Sequence, residues 1–228
     1  MKNKYLILSE KPWHKKLYLS LSKKYVDEKW ILINNKEKFN LNNLKKLNPK
    51  KIFIPHWSYI IPSSVYNNYD CIVFHMTDLP YGRGGSPLQN LISRGFKKTK
   101  MSALKVNKGI DAGDIYLKKK LNLDGTAEEI FIKASDLIYK MIIEIIEKKI
   151  VPKPQKGEIT VFKRRTPKES KLEGIKNLET LYDNIRMLDA KEYPKAFIEN
   201  SNFKFEFNKA KFNKNKNLII ANVRIYKK

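Results

Sequence analysis

The sequence predicts an α/β fold built on a mostly parallel, twisted sheet with helices on both faces. Three observations favour it: short β-prone runs alternate with helical segments, one long segment is strongly amphipathic, and a proline-rich break precedes a tail of different texture. Strands are predicted at Tyr5–Leu8, Trp30–Ile33, Lys51–Ile54, Cys71–Phe74, Met101–Val106 and Ile115–Leu121, the last alternating in polarity near a sheet edge.

Three helices are predicted, two between these strands and one after the last of them. Trp13–Tyr25 carries apolar residues at four-residue spacing, and Leu41–Leu47 ends before Pro49. The clearest helix opens at Thr126, whose hydroxyl can form a capping box with Glu129. The apolar stripe that follows this capping box is typical of a helix face buried in the core.

The chain is expected to consist of a main domain at 1–150 and a linker with a small α/β appendage at 151–228. The run Val151–Pro154 has two prolines and predicts a stiff linker. In the appendage we predict a helix at Asn177–Leu188, β-rich segments at Phe203–Phe207 and Leu218–Tyr226, and a polar turn at Lys209–Asn217.

Composition restricts the classes of function. The net charge of +24 would attract phosphates, as in nucleic acid, sugar nucleotides or an acidic membrane, but scattered lysines among asparagines favour an ordinary solvated surface. The single cysteine, Cys71, excludes an internal disulfide and predicts a reducing, cytoplasmic location. The first apolar run is too short for a signal peptide or a membrane span.

His75 is the first candidate for chemistry. It follows a strand and precedes a loop with a proline, three glycines and an arginine, so the imidazole is presented where ligands bind in open α/β sheets. Asp111, in the glycine turn Gly109–Asp114, is the candidate carboxylate partner, and Asp78 is close in sequence. His14 and His56 are interpreted as packed or solvated side chains. Because no Cys or His pairs have ligand spacing, no metal site is predicted.

Four ordered elements resemble the folate-dependent formyltransferase family, which includes methionyl-tRNA, glycinamide ribonucleotide and amino-sugar formyltransferases. That family carries Asn-x-His, a small hydroxyl residue, two apolar residues and proline, then Gly-x-x-Pro and Asp-x-Gly. The matching elements here are His56–Pro62, Val73–Pro80, Gly84–Gln89 and Ile110–Asp114. The resemblance implies a Rossmann-like fold for the catalytic domain.

The resemblance also implies the roles of the site residues. An amine attacks the formyl carbon of N10-formyltetrahydrofolate without a metal. His75 stabilises the developing charge or relays a proton, and Asp111 orients His75 and helps to deprotonate the incoming ammonium. The folate would be bound by Ser58, Tyr59, Ile60, Ile61, Lys108 and Gly109. One departure is Val73, which replaces the family's asparagine and cannot donate a hydrogen bond. Thr77 is therefore expected to supply the missing donor, with Asn90 and Asn107 as alternatives.

The C-terminal tail is expected to indicate which amine accepts the formyl group. An Arg-x-Pro element and Tyr193–Phe197 resemble sugar N-formyltransferases, and the tail has room only for an abbreviated β-barrel. We therefore expect an amino-sugar nucleotide in a glycan pathway, bound by Arg83, Gly84, Gly85, Arg164 and Arg165. A methionyl-tRNA formyltransferase and a non-catalytic folate- or nucleotide-binding relative are the alternatives. Exposed tail strands would allow a homodimer, and no membrane partner is expected.

Overall fold

The computed structural model describes residues 2–228. Its strands are β1 (Lys4–Ser9), β2 (Lys29–Ile33), β3 (Lys51–His56), β4 (Cys71–His75), β5 (Arg83–Gly84), β6 (Lys98–Lys105), β7 (Ile115–Asn122), β8 (Val161–Phe162), β9 (Ala196–Glu199), β10 (Phe203–Asn213) and β11 (Leu218–Lys227). Its helices are α1 (His14–Lys24), α2 (Leu41–Leu47), α3 (Ser63–Tyr66), α4 (Pro87–Ser93), α5 (Ala127–Glu147) and α6 (Leu178–Arg186), with a 3-10 turn at Pro167–Ser170.

Six strands form the main sheet in the order β2-β1-β3-β4-β6-β7. The strands β1 to β4 pair in parallel, so their carboxyl ends, including His56 of β3 and His75 of β4, lie at one edge. This confirms the predicted Rossmann-like α/β class, and β7 is the edge strand expected from its alternation. In open α/β sheets, ligands bind beyond this edge.

The strand β6 departs from the parallel pattern. It pairs antiparallel with β4, so Ser102 lies opposite His75 and Lys105 lies opposite Ile72. The chain therefore leaves β6 beside the first residue of β4, where the Val106 amide donates to the Cys71 carbonyl. The turn that carries Asp111 must fold back along β4 to reach the end that carries His75.

Buried side chains of the parallel strands form the core of the sheet. Leu6, Leu8, Ile52, Ile54 and Cys71 are at most 1% exposed and belong to one cluster. The stripe of α5 is buried as predicted, including Ile130, Met141 and Ile145 at 0% exposure. Burial of this apolar surface is the main force that holds the strand ends in place.

The chain divides into two compact units. One comprises the residues up to Arg83, Lys100–Leu121 and Ile132–Val161, and the other comprises Gly84–Thr99, Asn122–Phe131 and Phe162–Lys228. In the second unit β9, β10 and β11 form an antiparallel sheet, and α6 packs on β10. The domain boundary at residue 150 stays a prediction.

Several local predictions were wrong. The segment Lys209–Asn217 is not simply a polar turn, because β10 continues through a β-bulge to Asn213 and only the residues after it turn. The helices α3 and α4 were missed, since both are short and α4 begins at a proline after a serine in the left-handed region. Within the described residues, no helix is long and apolar enough to cross a membrane.

Candidate active site

His75 is the last residue of β4 and is 7% exposed. Its Nε2 lies 2.8 Å from the Gly82 carbonyl oxygen. Because a carbonyl oxygen only accepts hydrogen bonds, Nε2 carries a hydrogen in this arrangement. Its Nδ1 lies 3.5 Å from Oδ2 of Asp111. The structure therefore brings together the imidazole and the carboxylate that the sequence singled out.

Asp111 reaches this position from a tightly held turn. Its side chain is 14% exposed, and its φ of 49° places it in the left-handed region. The neighbouring Gly113 lies against the backbone of Lys105, and a Cβ at Gly113 would come within 1.7 Å of the Lys105 carbonyl oxygen. The turn thus requires a glycine at position 113 so that the backbone can approach β6.

Thr77 lies in the loop after His75 and is fully buried. Its hydroxyl donates to the Gly82 carbonyl at 3.2 Å, so His75 and Thr77 contact the same oxygen atom. The Thr77 carbonyl accepts a hydrogen bond from the Ser102 hydroxyl at 2.7 Å. The predicted donor and the predicted catalytic histidine are therefore aimed at one point.

Asp78 does not serve as the partner of His75. Its carboxylate forms ion pairs with Lys118 at 2.6 Å and Lys100 at 2.8 Å. Partial burial opposes ionisation, but the hydrogen bonds from the two lysines lower the pKa of Asp78. Asp78 is therefore close to His75 in sequence, but its carboxylate binds the two lysines and not the imidazole.

The residues predicted to bind folate lie in the same unit as His75. Ser58, Tyr59 and Ile60 are exposed in the loop after β3, and Tyr59 and Ile60 are 42% and 84% exposed. Ile61 is buried in the core cluster and anchors the end of this loop. Lys108 and Gly109 belong to the turn of Asp111, and the Gly109 amide donates to Oδ1 of Asn107.

The alternative donors differ in how their side chains are used. Asn90 is buried, and its amide nitrogen contacts the carbonyl oxygens of Gly85, Ser86 and Lys163 at 2.9 to 3.1 Å. Its amide hydrogens therefore bind the backbone of the second unit. Asn107 lies in the turn of Asp111.

The residues predicted to bind an acceptor also make internal contacts. Both Nε and Nη2 of Arg83 donate to Oε1 of Gln155, at 3.2 and 2.8 Å. In the second unit the Gly85 amide donates to the Phe162 carbonyl, and a Cβ at Gly85 would meet the Arg164 backbone at 2.6 Å. Arg165 donates to the Glu169 carbonyl at 2.7 Å. Gly84 lies in β5.

The sequence analysis did not identify Gln155 as a residue of the site. It follows Pro154 in the segment interpreted as a linker, and its side-chain amide donates to the carbonyls of Asp111 and Gly113, each at 2.8 Å. The prolines indicate a stiff segment, but nothing in them indicates the turn that the segment contacts.

Other titratable groups have structural roles. Burial, and less strongly Asp70, raises the pKa of the Cys71 thiol to about 12, which makes it unreactive at neutral pH. His14 is buried, with Nδ1 2.6 Å from the Ser9 hydroxyl. Burial first, and then His56 and Lys11, lower the pKa of His14 to about 3. Among the described residues, no group of three or more His, Cys, Asp or Glu side chains could hold a metal.

The formyl transferase family model matches residues 14–146, which include both His75 and Asp111, and a model for the methionyl-tRNA formyltransferase C-terminal domain matches residues 167–226. This chain belongs to the formyl transferase family. The predicted family is thereby confirmed.

Solved and curated relatives extend this family assignment. A methionyl-tRNA formyltransferase structure from Clostridium thermocellum is 47% identical, covers 99% of this chain and 100% of its own, and superposes with a TM-score of 0.96. The methionyl-tRNA formyltransferase of Campylobacter lari is 28% identical over 84% of this chain. The chain spans only 46 to 66% of the length of the first three curated relatives that it matches.

The predicted amino-sugar nucleotide acceptor and glycan pathway were wrong. The tail matches the methionyl-tRNA formyltransferase C-terminal domain, and the relatives named above carry the methionyl-tRNA name. A sugar N-formyltransferase from Shewanella is only 17% identical over 87% of this chain and 93% of its own, with a TM-score of 0.66, which shows likeness of fold alone.

The physical reason for this error is that the tail signature is structural. The ring of Tyr193 packs 5.3 Å from that of Phe131, and Ala196 is fully buried at the start of β9. These residues pack inside the second unit, so their presence does not indicate which acceptor is used. Without a sugar-nucleotide acceptor, the predicted contacts to its phosphates lose their basis. These predicted contacts were Arg83, Gly84, Gly85, Arg164 and Arg165.

Proposed function

We propose that this chain transfers a formyl group from N10-formyltetrahydrofolate to the amino group of methionyl-tRNA. The buried pair of His75, at the tip of β4, and Asp111 carries this proposal, because it places an imidazole that can donate to a developing oxyanion next to a carboxylate that orients it and can accept a proton. The 47% identical methionyl-tRNA formyltransferase of matching length supports the acceptor.

The residues present are chemically suited to a reduced folate. The exposed side chains of Tyr59 and Ile60 offer apolar surface to a flat ring, and the backbone of the same loop offers donors and acceptors for amide-like ring edges. Ser58, Ile61, Lys108 and Gly109 would complete this subsite. The net charge of +24 also favours a co-substrate that carries carboxylates.

When bound, N10-formyltetrahydrofolate would supply an electrophilic formyl carbon that exchanges its bond to N10 for a bond to the amine nitrogen. Asp111 orients the imidazole of His75 and would accept the proton that the attacking amine loses, and this proton would then pass to N10 as N10 leaves. His75 Nε2 carries a hydrogen and donates to the formyl oxygen as negative charge develops there.

Thr77 would replace the donor that is lost at Val73. Its hydroxyl and His75 Nε2 already converge on one oxygen atom, that of Gly82. Two donors aimed at one acceptor are the arrangement that an oxyanion requires. The formyl oxygen would take the place of the Gly82 carbonyl between these donors.

The basic surface would bind the tRNA. A chain with 47 lysines and arginines against 23 acidic residues presents a positive field to the phosphate backbone. From the sequence alone this charge is interpreted as an ordinary solvated surface, whereas the proposed function gives it tRNA as a partner. A cytoplasmic location and the homodimer predicted from the tail both stay predictions.

The proposal is tested by following radiolabelled formyl transfer from N10-formyltetrahydrofolate to methionyl-tRNA. We expect label in methionyl-tRNA, none in free methionine or uncharged tRNA, and at least about a hundredfold loss of rate in His75→Asn. The value of KM for methionyl-tRNA should rise steeply between 50 and 200 mM salt because several phosphates are neutralised together. Transfer that is undiminished in His75→Asn contradicts the mechanism, and no transfer to methionyl-tRNA contradicts the acceptor.

A further inference from the structure

A short strap, residues 151–155, runs beside the turn that carries Asp111. Its centre, Lys153, pairs antiparallel with Ile115 through two backbone hydrogen bonds of 2.7 and 2.9 Å. Prolines at 152 and 154 fix their own φ angles and restrict the residues before them to extended conformations. The strap therefore presents Gln155 from a rigid, paired segment.

The side chain of Gln155 makes four hydrogen bonds. Its amide group donates to the carbonyls of Asp111 and Gly113, each at 2.8 Å. Its Oε1 accepts from Nε and Nη2 of Arg83. Both amide hydrogens and both lone pairs of the carboxamide are thus used, which fixes its orientation.

The turn of Asp111 needs such an anchor. The chain leaves β6 beside Cys71 and must return along β4, and Asp111 adopts a left-handed φ of 49°, which a non-glycine residue adopts at an energetic cost. Gln155 binds the turn on both sides of Ala112. A displacement of about 1 Å at a reacting group can cost about a hundredfold in rate.

We propose that Gln155 is a positioning residue that holds the Asp111 carboxylate against His75, and that Arg83 in turn orients Gln155. The inference about the rate rests on the proposed function, whereas the inference about the His75–Asp111 geometry does not. Arg83 then acts through Gln155 and its guanidinium is not primarily a phosphate contact.

Three variants separate this role from a general structural one. Gln155→Met keeps the size and removes every hydrogen bond. Gln155→Glu keeps the contact with Arg83 but cannot donate to the two carbonyls of the turn. The matched control is Gln89→Met, because Gln89 is a buried glutamine of the second unit that donates to the Met187 carbonyl at 3.1 Å.

In the transfer assay we expect kcat to fall about tenfold to a hundredfold in both Gln155 variants, with KM for methionyl-tRNA changed less than about threefold. Gln89→Met should keep the wild-type kcat at a similar loss of thermal stability. Equal losses of kcat in Gln155→Met and Gln89→Met, or a Gln155→Glu variant with wild-type kcat, would overturn the proposal.

A second readout needs no substrate. The chain has only three histidines, so the imidazole 15N signals can be assigned by substitution. At pH 7 the Nδ1 signal of His75 should shift in Gln155→Met and Gln155→Glu, whereas those of His14 and His56 stay in place. An unshifted His75 signal overturns the positioning role. A shifted signal without any formyl transfer supports the positioning role and contradicts only the proposed function.

Discussion

Buried polar side chains serve different ends in the two compact units. In the first, His75, Thr77 and Gln155 bind a loop carbonyl, a carboxylate and the turn that carries this carboxylate. In the second, Arg186 binds the carbonyls of Leu123 and Gly125, and Asn90 binds three others. The first network surrounds an imidazole, whereas the second joins backbone carbonyls to the buried ion pair of Arg186 and Asp183. Burial of polar groups therefore indicates proton-transfer chemistry only where an imidazole lies at the centre.

Thr77→Val removes one hydroxyl group from the first network and should cause a large loss of kcat. The variant keeps the shape and loses the donor that replaces the asparagine missing at Val73, so kcat should fall about a hundredfold to a thousandfold. Thr77→Ser should retain most of the activity. The measurement is the initial rate of formyl transfer at saturating methionyl-tRNA.

The asparagine can also be restored. We expect Val73→Asn to change kcat of the wild type by less than about tenfold but to recover at least about tenfold in the Thr77→Val background, because either residue can supply the second donor. If the asparagine leaves the Thr77→Val rate unchanged, Thr77 does not fill the place of this donor.

Gly113→Ala and Gly95→Ala compare the two units directly. An added Cβ at Gly113 meets the Lys105 carbonyl oxygen at 1.7 Å, so the turn must shift and kcat should fall about a hundredfold. At Gly95, where φ is +78° and nothing lies within 4 Å, the cost is about 1 to 2 kcal/mol of stability and no loss of kcat. Rates and urea midpoints of both variants check this, and a fully active Gly113→Ala contradicts the role of the turn.

The sequence was sufficient to predict the parallel part of the sheet and the proximity of His75 to Asp111. Each strand up to Cys71–Phe74 is a short apolar run beside turn residues, and His75 and Asp111 stand out because ionisable groups next to glycine turns have few structural explanations. The Gln155 contacts could not be predicted, since they depend on β6 running antiparallel to β4 and on the strap pairing with Ile115. Both are long-range pairings that local patterns do not encode.

The acceptor could not be predicted for a related reason. Tyr193 and Ala196 are signature residues that pack against their own unit, so their presence is compatible with several acceptors. The sequence predicts that Arg83 contacts a phosphate, but its donors Nε and Nη2 bind Gln155. The sequence does not show which internal group a charged side chain will bind in the folded protein.

The smallest predicted effect concerns acid stability through His14. Its pKa of about 3 in the folded protein lies below the unfolded value of 6.5, so the unfolded state binds the proton first. This stabilisation is present above pH 6.5 and is lost as the pH falls, at up to about 1.4 kcal/mol per pH unit.

The urea midpoint should therefore fall between pH 6.5 and 5 in the wild type, and His14→Asn, which can still form a hydrogen bond with Ser9, should flatten this dependence. Asp78, whose pKa is lowered below 3.8, contributes only at more acidic pH. An equally steep dependence in His14→Asn would assign the effect to another group.

The coupling of His75 to Asp111 is tested most directly by a double-mutant cycle on kcat/KM for formyl transfer. With the two side chains acting as a unit across 3.5 Å, His75→Asn and Asp111→Asn should each lose about a thousandfold, and the double variant should be no worse than the poorer single variant. Losses that multiply to about a millionfold in the double variant would show two independent groups and contradict the account.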